Sequence, residues 1–412
     1  MKFYYTQRLP KSIFYMAEKY GNVIFLALFT FIMAKFLKVE EFGIISNADA
    51  IVAIISVFSF QGLEQLVQRE LVNRGQDEAK IMGAALIFKM PGILLGLLIA
   101  IIWGLYTVDP RLSICIYIFS GLIVARSLTV LAAPLISKDF YIKYTVIGIS
   151  TYATFFVFKI IILFLYPSIT IIAVTTVCEN LALALLYYLF RGEGNRIQFR
   201  GVNKYLQVYL REGFYLIFSG AMVVIYTKTD QLYIANFMSY KVLADYAIAL
   251  KFLMIYIIPS TIFTLSYVSK LNKGSDDYKK YSREMLIWSV IIGVVFGAIC
   301  AFTTPFIIEF LYGSKYVMAK EYIVGLSIVV PFCFLLNSTG RIFMNEGMGS
   351  FLFQRNLIAL SYNVIAGYFL IKYIGAWGGV VAIVSSYAVS ALIMVACNKK
   401  SRNIVTGILL KK

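Results

Sequence analysis

The sequence predicts an all-α polytopic membrane protein with about 12 transmembrane helices in two six-helix lobes. Three observations predict it. The 412 residues are 60% apolar and only 14% charged, whereas a soluble domain is nearer 45–50% apolar and about 25% charged. The apolar residues gather into twelve runs, each close to the ~20 residues that cross ~30 Å of hydrocarbon. Lys and Arg are shared unevenly among the segments between those runs. A soluble enzyme, a disordered chain and a coiled coil are excluded by the first two observations. The runs are apolar all round, so they read as helices and not as alternating barrel strands.

In order, the runs are 14–36, 44–63, 81–105, 113–136, 145–166, 168–190, 214–237, 244–268, 286–310, 321–343, 355–373 and 376–397. The shortest separations are Tyr166-Pro167-Ser168 and Lys372 to Ala376. With the N-terminus inside, the inner segments hold 25 Lys and Arg and the outer segments 7. Arg341 and Arg355 are counted here as inner-loop residues. The bias places both termini in the cytoplasm. The net charge of +17 is then mostly topology, with attraction to anionic membrane lipids as a by-product. No nucleic-acid partner is called for. The stretch from Met1 to Lys11 is polar and the first run lacks a small-residue cleavage site, so no cleavable leader is expected. The five cysteines, Cys115, Cys178, Cys300, Cys333 and Cys397, show no CxxC spacing and read as buried small apolar residues.

No loop is long enough for a folded soluble domain. There is no phosphate-binding Walker loop. There is no histidine, which removes the commonest general base and metal ligand. No cofactor, metal or catalytic set is expected. A channel, a transporter or an enzyme working within its helices remains.

The basic stretch Arg191–Arg211 divides the chain into a lobe over 1–200 and a lobe over 201–412, with six runs in each. A short internal repeat agrees. Glu41-Phe42-Gly43-Ile44 precedes the second run and Asp245-Tyr246-Ala247-Ile248 the eighth, 204 residues later. Six spans bring the second half back to the same orientation. This parallel-repeat layout implies a cavity between the halves that opens alternately to each side, with the basic stretch as hinge.

Charge inside the runs is the functional signal. Lys89, Arg126, Lys159, Glu179, Lys228, Asp230 and Lys251 all lie there. Turned toward lipid they would together cost on the order of 10–20 kcal/mol, so they are expected to face a hydrated interior. At ~1.5 Å per residue, Lys89 and Arg126 share a level ~10–12 Å from the inner face. Lys159, Lys228 and Lys251 lie ~9–10 Å below the outer face on the same scale. Two tiers of cations suit a concentrated anion such as a diphosphate, met from either side by charge-assisted hydrogen bonds. The alternative is a set of structural ion pairs or snorkelling side chains. Glu179 would then neutralise Lys159, and Asp230 would pair with Lys251. Lys228 and Asp230 are two residues apart and share no helix face, so one of them needs a partner elsewhere. Pro91, Pro259, Pro305 and Pro331 lie in or near the runs, and Pro259 is the expected bend point. The tail Lys399-Lys400-Ser401-Arg402 with Lys411-Lys412 reads as a headgroup anchor.

Several stretches, in order, carry a resemblance. Tyr20-Gly21 through Leu37, Val39-Glu40-Glu41-Phe42-Gly43, Gly62-Leu63-Glu64-Gln65 and Arg69-Glu70-Leu71 resemble the opening of O-antigen and related polysaccharide flippases of the Wzx type. Thr229-Asp230-Gln231, Ala244-Asp245-Tyr246-Ala247 and Pro259 look like that family's seventh and eighth helices. Phe310-Leu311-Tyr312-Gly313 with Tyr316, Asn345-Glu346-Gly347 and Tyr373-Ile374-Gly375-Ala376-Trp377-Gly378-Gly379 are similar to its C-terminal pattern. The resemblance places the chain in the multidrug/oligosaccharidyl-lipid/polysaccharide exporter superfamily, with a MATE-like fold. It implies a multi-pass protein of the bacterial inner (cytoplasmic) membrane. Such a protein carries an undecaprenyl-diphosphate-linked oligosaccharide, an O-antigen or capsule repeat unit, from the cytoplasmic to the periplasmic leaflet. A polysaccharide polymerase and a chain-length regulator are the implied protein partners. The cation-rich lumen so implied is supplied here by Lys89, Arg126, Lys159, Lys228 and Lys251. Coupling to a proton or sodium gradient would fall to Asp230, Glu179 or Glu64, and the membrane potential is the other driving force. The rivals are a drug exporter of the same superfamily, which would favour an acidic lumen, and a membrane-embedded prenyl-phosphate glycosyltransferase or polymerase. The latter would use Glu40-Glu41 and would want a larger outer loop.

Overall fold

A computed structural model describes residues 11–60, 62–191, 197–267, 271 and 277–410, without the side chains of 11–16, 19, 76, 214–216 and 219. Among the inner-segment bases, Lys2, Arg8, Arg196, Lys270, Lys273, Lys411 and Lys412 lie outside the described residues. The described chain is helical almost throughout and contains no strand. The helices are α1 (Lys11–Phe36), α2 (Val39–Ile55), α3 (Leu63–Asn73), α4 (Glu78–Tyr106), α5 (Pro110–Ser127), α6 (Ala133–Ser137), α7 (Tyr141–Leu165), α8 (Ile169–Phe190), α9 (Asn203–Tyr226), α10 (Thr229–Phe237) and α11 (Tyr240–Ser266). They continue with α12 (Tyr278–Tyr312), α13 (Val317–Leu326), α14 (Val329–Asn345), α15 (Gly349–Ile374), α16 (Ala376–Ala388), α17 (Met394–Cys397) and α18 (Lys399–Leu409).

Each of the twelve apolar runs falls on one helix or one broken helix, in the expected order. Nine described helical stretches are long and apolar enough to cross a membrane. A tenth forms if α13 and α14, bent by 40°, count as one span. The first and seventh runs fall on α1 and on α9 with α10, whose side chains are partly outside the described set. The chain is thus a multi-pass, all-α membrane protein. The 40° bend lies at Ser327-Ile328. The expected bend at Pro259 is not found as a break: α11 runs through that proline. Its freed carbonyl is accommodated within a packed helix, as membrane proteins allow.

The chain forms two compact units, Met1–Leu37 with Ile51–Ala221, and Lys38–Ala50 with Met222–Lys412. The border therefore falls inside α9, later than residue 200, and the first two-thirds of α2 belongs with the second unit.

Local chemistry sets the helix ends. Asp109 caps α5 by accepting the Arg111 amide at 2.9 Å, with Pro110 in the first turn. Ser239 caps α11 through the Val242 amide at 3.3 Å. Asn398 caps α18 through the Ser401 amide at 3.0 Å. Gly313 and Gly375 end α12 and α15 at φ 57° and 67°, where a side chain would be strained.

Within the first unit α1 packs on α7, and α5 packs on both α4 and α8. The inward face of α4 is built from small residues, Gly92, Gly96, Ala100 and Gly104, whereas Leu94, Leu95, Leu98 and Ile101 are exposed. In lipid, hydrocarbon outside is as apolar as leucine inside, so close approach of small residues drives helix association. The second unit follows the same rule on α12, whose buried stripe includes Gly293, Gly297 and Cys300. Cys115, Cys300 and Cys333 are buried as expected. Cys178 and Cys397 are exposed instead, which suits a small apolar residue on a helix face turned to hydrocarbon. The amphipathic α18 exposes Lys399, Lys400 and Arg402 and sends Ile404, Val405 and Ile408 into a cluster with Leu286, Ile342 and Phe343.

The stretch 197–212, at the heart of the expected hinge, is fastened to the first unit. The Gln198 amide donates to the Ala79 carbonyl at 3.0 Å, and Tyr209 donates to the Ile81 carbonyl at 3.1 Å. Tyr205 donates to Asp77, and Arg69 meets Glu212. The Tyr205 bond holds the Asp77 carboxyl below its ordinary range, and burial pushes the Tyr205 phenol up to about 12. Val202, Tyr205 and Tyr209 enter the same apolar cluster as Leu63, Leu66 and Ile81. Removing the two hydroxyls by Tyr205→Phe with Tyr209→Phe is expected to speed tryptic cleavage after the exposed Arg200 and Lys204 several-fold. An unchanged cleavage rate would show that apolar packing alone holds the segment.

Candidate functional site: the charged interior

In the first unit the second run is broken. Ser56 and Ser59 bond back to the carbonyls of Ala53 and Ser56, both at 2.7 Å, which competes with helix continuation. Phe60 then turns to φ 57° and Gly62 to φ 105° before α3 begins. Gly92 of α4 lies against this break, where a Cβ would come within 1.9 Å of the Phe58 carbonyl oxygen. One turn earlier on α4, Lys89 is fully buried. Its Nζ donates to Glu64 Oε1 at 2.6 Å, and Glu64 Oε2 accepts the Gly62 amide at 2.8 Å. Glu64 sits in the first turn of α3, where the helix dipole favours a negative charge. The helix break thus presents a carboxylate to a fully buried lysine.

A second pair joins the long helices α7 and α8. Lys159 donates to Glu179, and its Nζ lies 5.0 Å from the centre of the Phe29 ring on α1. A third cluster centres on Glu18 of α1, 2% exposed. Its carboxylate accepts Tyr144 at 2.6 Å, Tyr152 at 2.9 Å and Tyr187 at 3.2 Å. Gly148 of α7 makes room for it, since a Cβ there would lie 2.5 Å from Glu18 Cγ. Arg126 is half-buried in the last turn of α5.

In the second unit Lys228 occupies the break between α9 and α10 and donates to Asp49 Oδ2 at 2.9 Å. Asp230, 1% exposed, accepts the Tyr246 hydroxyl through Oδ2, while its buried Oδ1 has no partner. Lys251 is half-buried on α11. Asp230 is therefore held by Tyr246 of α11 and not by the expected Lys251. Asn363 of α15 donates to Ser386 at 3.2 Å, and Asn337 of α14 to Ser260 at 2.6 Å. Among the described residues no three His, Cys, Asp or Glu side chains come together to hold a metal.

The five expected cations thus divide. Lys89, Lys159 and Lys228 are each held by a carboxylate, and Arg126 and Lys251 stay half-buried. In each pair the acid is the more exposed partner, at 24% against 0%, 15% against 4% and 31% against 20%.

A family model described as "Polysaccharide biosynthesis protein" matches residues 32–321. The chain belongs to that family. The membership agrees with the resemblance read from Tyr20-Gly21 to Gly379. The chain also shares its fold with solved structures. One is an inward-facing multidrug resistance MATE family transporter of the MOP superfamily, with a TM-score of 0.67 at 12% identity over 94% of this chain and 95% of that chain. The lipid II flippase MurJ in an inward closed conformation gives 0.68 at 12% identity over 97% and 90%. A MOP superfamily transporter from Pyrococcus furiosus, described as having a binding pocket of reversed polarity, gives 0.55 at 15% identity over 97% and 95%. No curated protein sequence matches the chain.

Three charged residues of this interior escape a reading by runs. Glu18 and Asp49 lie inside the first two runs and pass unnoticed beside the cations. Arg355 sits at the first residue of its run and is misplaced in a loop. In α15 the buried residues recur every fourth position, Phe351, Arg355, Ala359, Asn363, Gly367 and Ile371. That four-residue stripe is the sequence signal that places Arg355 inside.

Proposed function

We propose that the protein is a flippase. It moves an undecaprenyl-diphosphate-linked oligosaccharide, an O-antigen or capsule repeat unit, from the cytoplasmic to the periplasmic leaflet of the bacterial inner membrane, with both termini cytoplasmic. The observation that carries this reading is the family match over residues 32–321, and the fold held in common with a lipid II flippase supports it. No covalent step is involved. The headgroup binds in a hydrated interior, the prenyl tail stays in lipid, and the two access states differ in affinity for the same ligand.

The interior is a set of exchangeable ion pairs more than a field of free cations. A diphosphate competes with Glu64 for Lys89, with Glu179 for Lys159 and with Asp49 for Lys228. A carboxylate so displaced is the natural acceptor for a proton or sodium ion, which gives Glu64 and Glu179 a coupling role, and Asp230 joins them through its buried, unpartnered Oδ1. Arg126 and Lys251 complete the basic lining. A polymerase and a chain-length regulator would receive the product.

A strain lacking the protein is expected to accumulate lipid-linked repeat units on the inner leaflet. Lys89→Ala combined with Arg126→Ala is expected to abolish surface polysaccharide while the variant remains in the membrane. Normal polymer levels in that variant would overturn the assignment of these two bases. The interior acids remove the compositional objection to a drug exporter, so the same deletion strain decides that rival. Drug accumulation with normal polysaccharide would favour it. Sugar transfer by the purified protein would favour a glycosyltransferase.

A further inference from the structure

We propose that Arg355, together with Thr339, forms a phosphate-binding subsite inside the second unit. Arg355 is 7% exposed and lies in the inward stripe of α15. Its Nη1 donates to Thr339 Oγ1 of α14 at 3.3 Å. The Thr339 hydroxyl donates onward to the Leu335 carbonyl at 2.8 Å, so it serves Arg355 only as an acceptor. Among the described residues no carboxylate stands within ion-pair distance of the guanidinium, and its Nε is buried without a partner. The buried lysines differ: Lys89 and Lys159 each carry an acid.

A guanidinium does not escape burial by losing its proton, as a lysine does. A buried charge without a counter-charge is strongly unfavourable. The charge is therefore retained for a ligand that supplies the missing anion. The free edge defines the ligand. With Nη1 taken by Thr339, Nε and Nη2 form a planar two-donor fork, the geometry that matches two oxygens of one phosphate. Gly340 of α14 faces the Nη2 side, where even a Cβ would stand no closer than 3.4 Å. The ligand is a phosphate or diphosphate monoanion or dianion. The flippase reading enters only through the source of that group, a lipid headgroup or a soluble phosphate.

The test uses the full chain in lipid nanodiscs. Inorganic pyrophosphate is expected to raise the unfolding temperature of the wild type in a saturable way. Arg355→Lys is expected to weaken the pyrophosphate affinity at least tenfold, because an ammonium lacks the two-donor fork. Arg355→Met is expected to unfold at or above the wild-type temperature without ligand, having lost the uncompensated charge, and to show no pyrophosphate response. Undecaprenyl diphosphate in the nanodisc separates the sources. A response to it that exceeds the pyrophosphate response and vanishes in Arg355→Met assigns the lipid headgroup. A response to pyrophosphate alone assigns a soluble phosphate. A pyrophosphate response that survives in Arg355→Met, or an affinity unchanged in Arg355→Lys, overturns the subsite. These outcomes are independent of the deletion strain, whose normal polysaccharide would end the flippase reading and leave the phosphate site standing.

Discussion

Glu64→Ala is expected to destabilise the protein by about 3–5 kcal/mol, the range for removing one partner of a buried ion pair. Lys89 is wholly buried and Glu64 is the carboxylate that receives it. Alanine leaves an ammonium with neither water nor counter-charge. The loss is read as a lowered unfolding temperature or denaturant midpoint in micelles. The companion variant is Glu64→Leu with Lys89→Met. An apolar pair of similar volume is often neutral or stabilising relative to a buried ion pair, so the double variant should regain most of the loss. If it does not, the important contact is Glu64 with the Gly62 amide at 2.8 Å, and Lys89 is a bystander. The two readouts then part company. The double variant is expected to fold and yet fail to restore surface polysaccharide, because the base that a diphosphate would take from Glu64 is gone.

Those pairs also mark where reading along the chain stops. The helices were legible because crossing hydrocarbon imposes a length and a composition on each run, and every residue of a run contributes to the signal. The bases Lys89, Lys159 and Lys228 were legible for the opposite reason: a charge inside such a run is rare and costly. Their partners are 25, 20 and 179 residues away. Nothing local announces that Asp49 waits for Lys228, since that contact depends on how α2 and the α9–α10 break come together. The pairing of Glu179 with Lys159 was open to sequence because α7 and α8 are joined by a short turn. Glu18 illustrates a further limit. Its partners are phenols, and tyrosines in a chain with 30 of them carry no individual signal. Arg355 was missed through a boundary error of a few residues, which is the least secure part of any assignment by runs.

The second large effect concerns a glycine. Gly43→Ala is expected to cost about 3 kcal/mol, at the upper end for forcing an extra group into a packed contact. A Cβ at position 43 would stand 1.9 Å from the Tyr240 carbonyl oxygen and 2.6 Å from its carbon. Both atoms are backbone at the start of α11, so no rotamer change relieves the clash and α2 itself must move. The contact explains a feature of the fold that the chain order hides. Residues 38–50 are flanked on both sides by the first unit, yet they belong to the second. Gly43 lets α2 approach α11 closely, and its neighbour Phe42, fully buried, meets the Tyr316 ring edge-on at 6.0 Å. In the internal repeat the position equivalent to Gly43 is Ala247, so the repeat itself tolerates a methyl group and the demand at 43 comes from the wall it faces. Gly349→Ala is the control, because nothing lies within 4 Å of a Cβ there, and its effect should stay within about 0.5 kcal/mol. Equal unfolding temperatures for the two variants would mean that α2 has room to shift. A large gap would mean that residues 38–50 are held to the second unit by a backbone contact that only glycine permits.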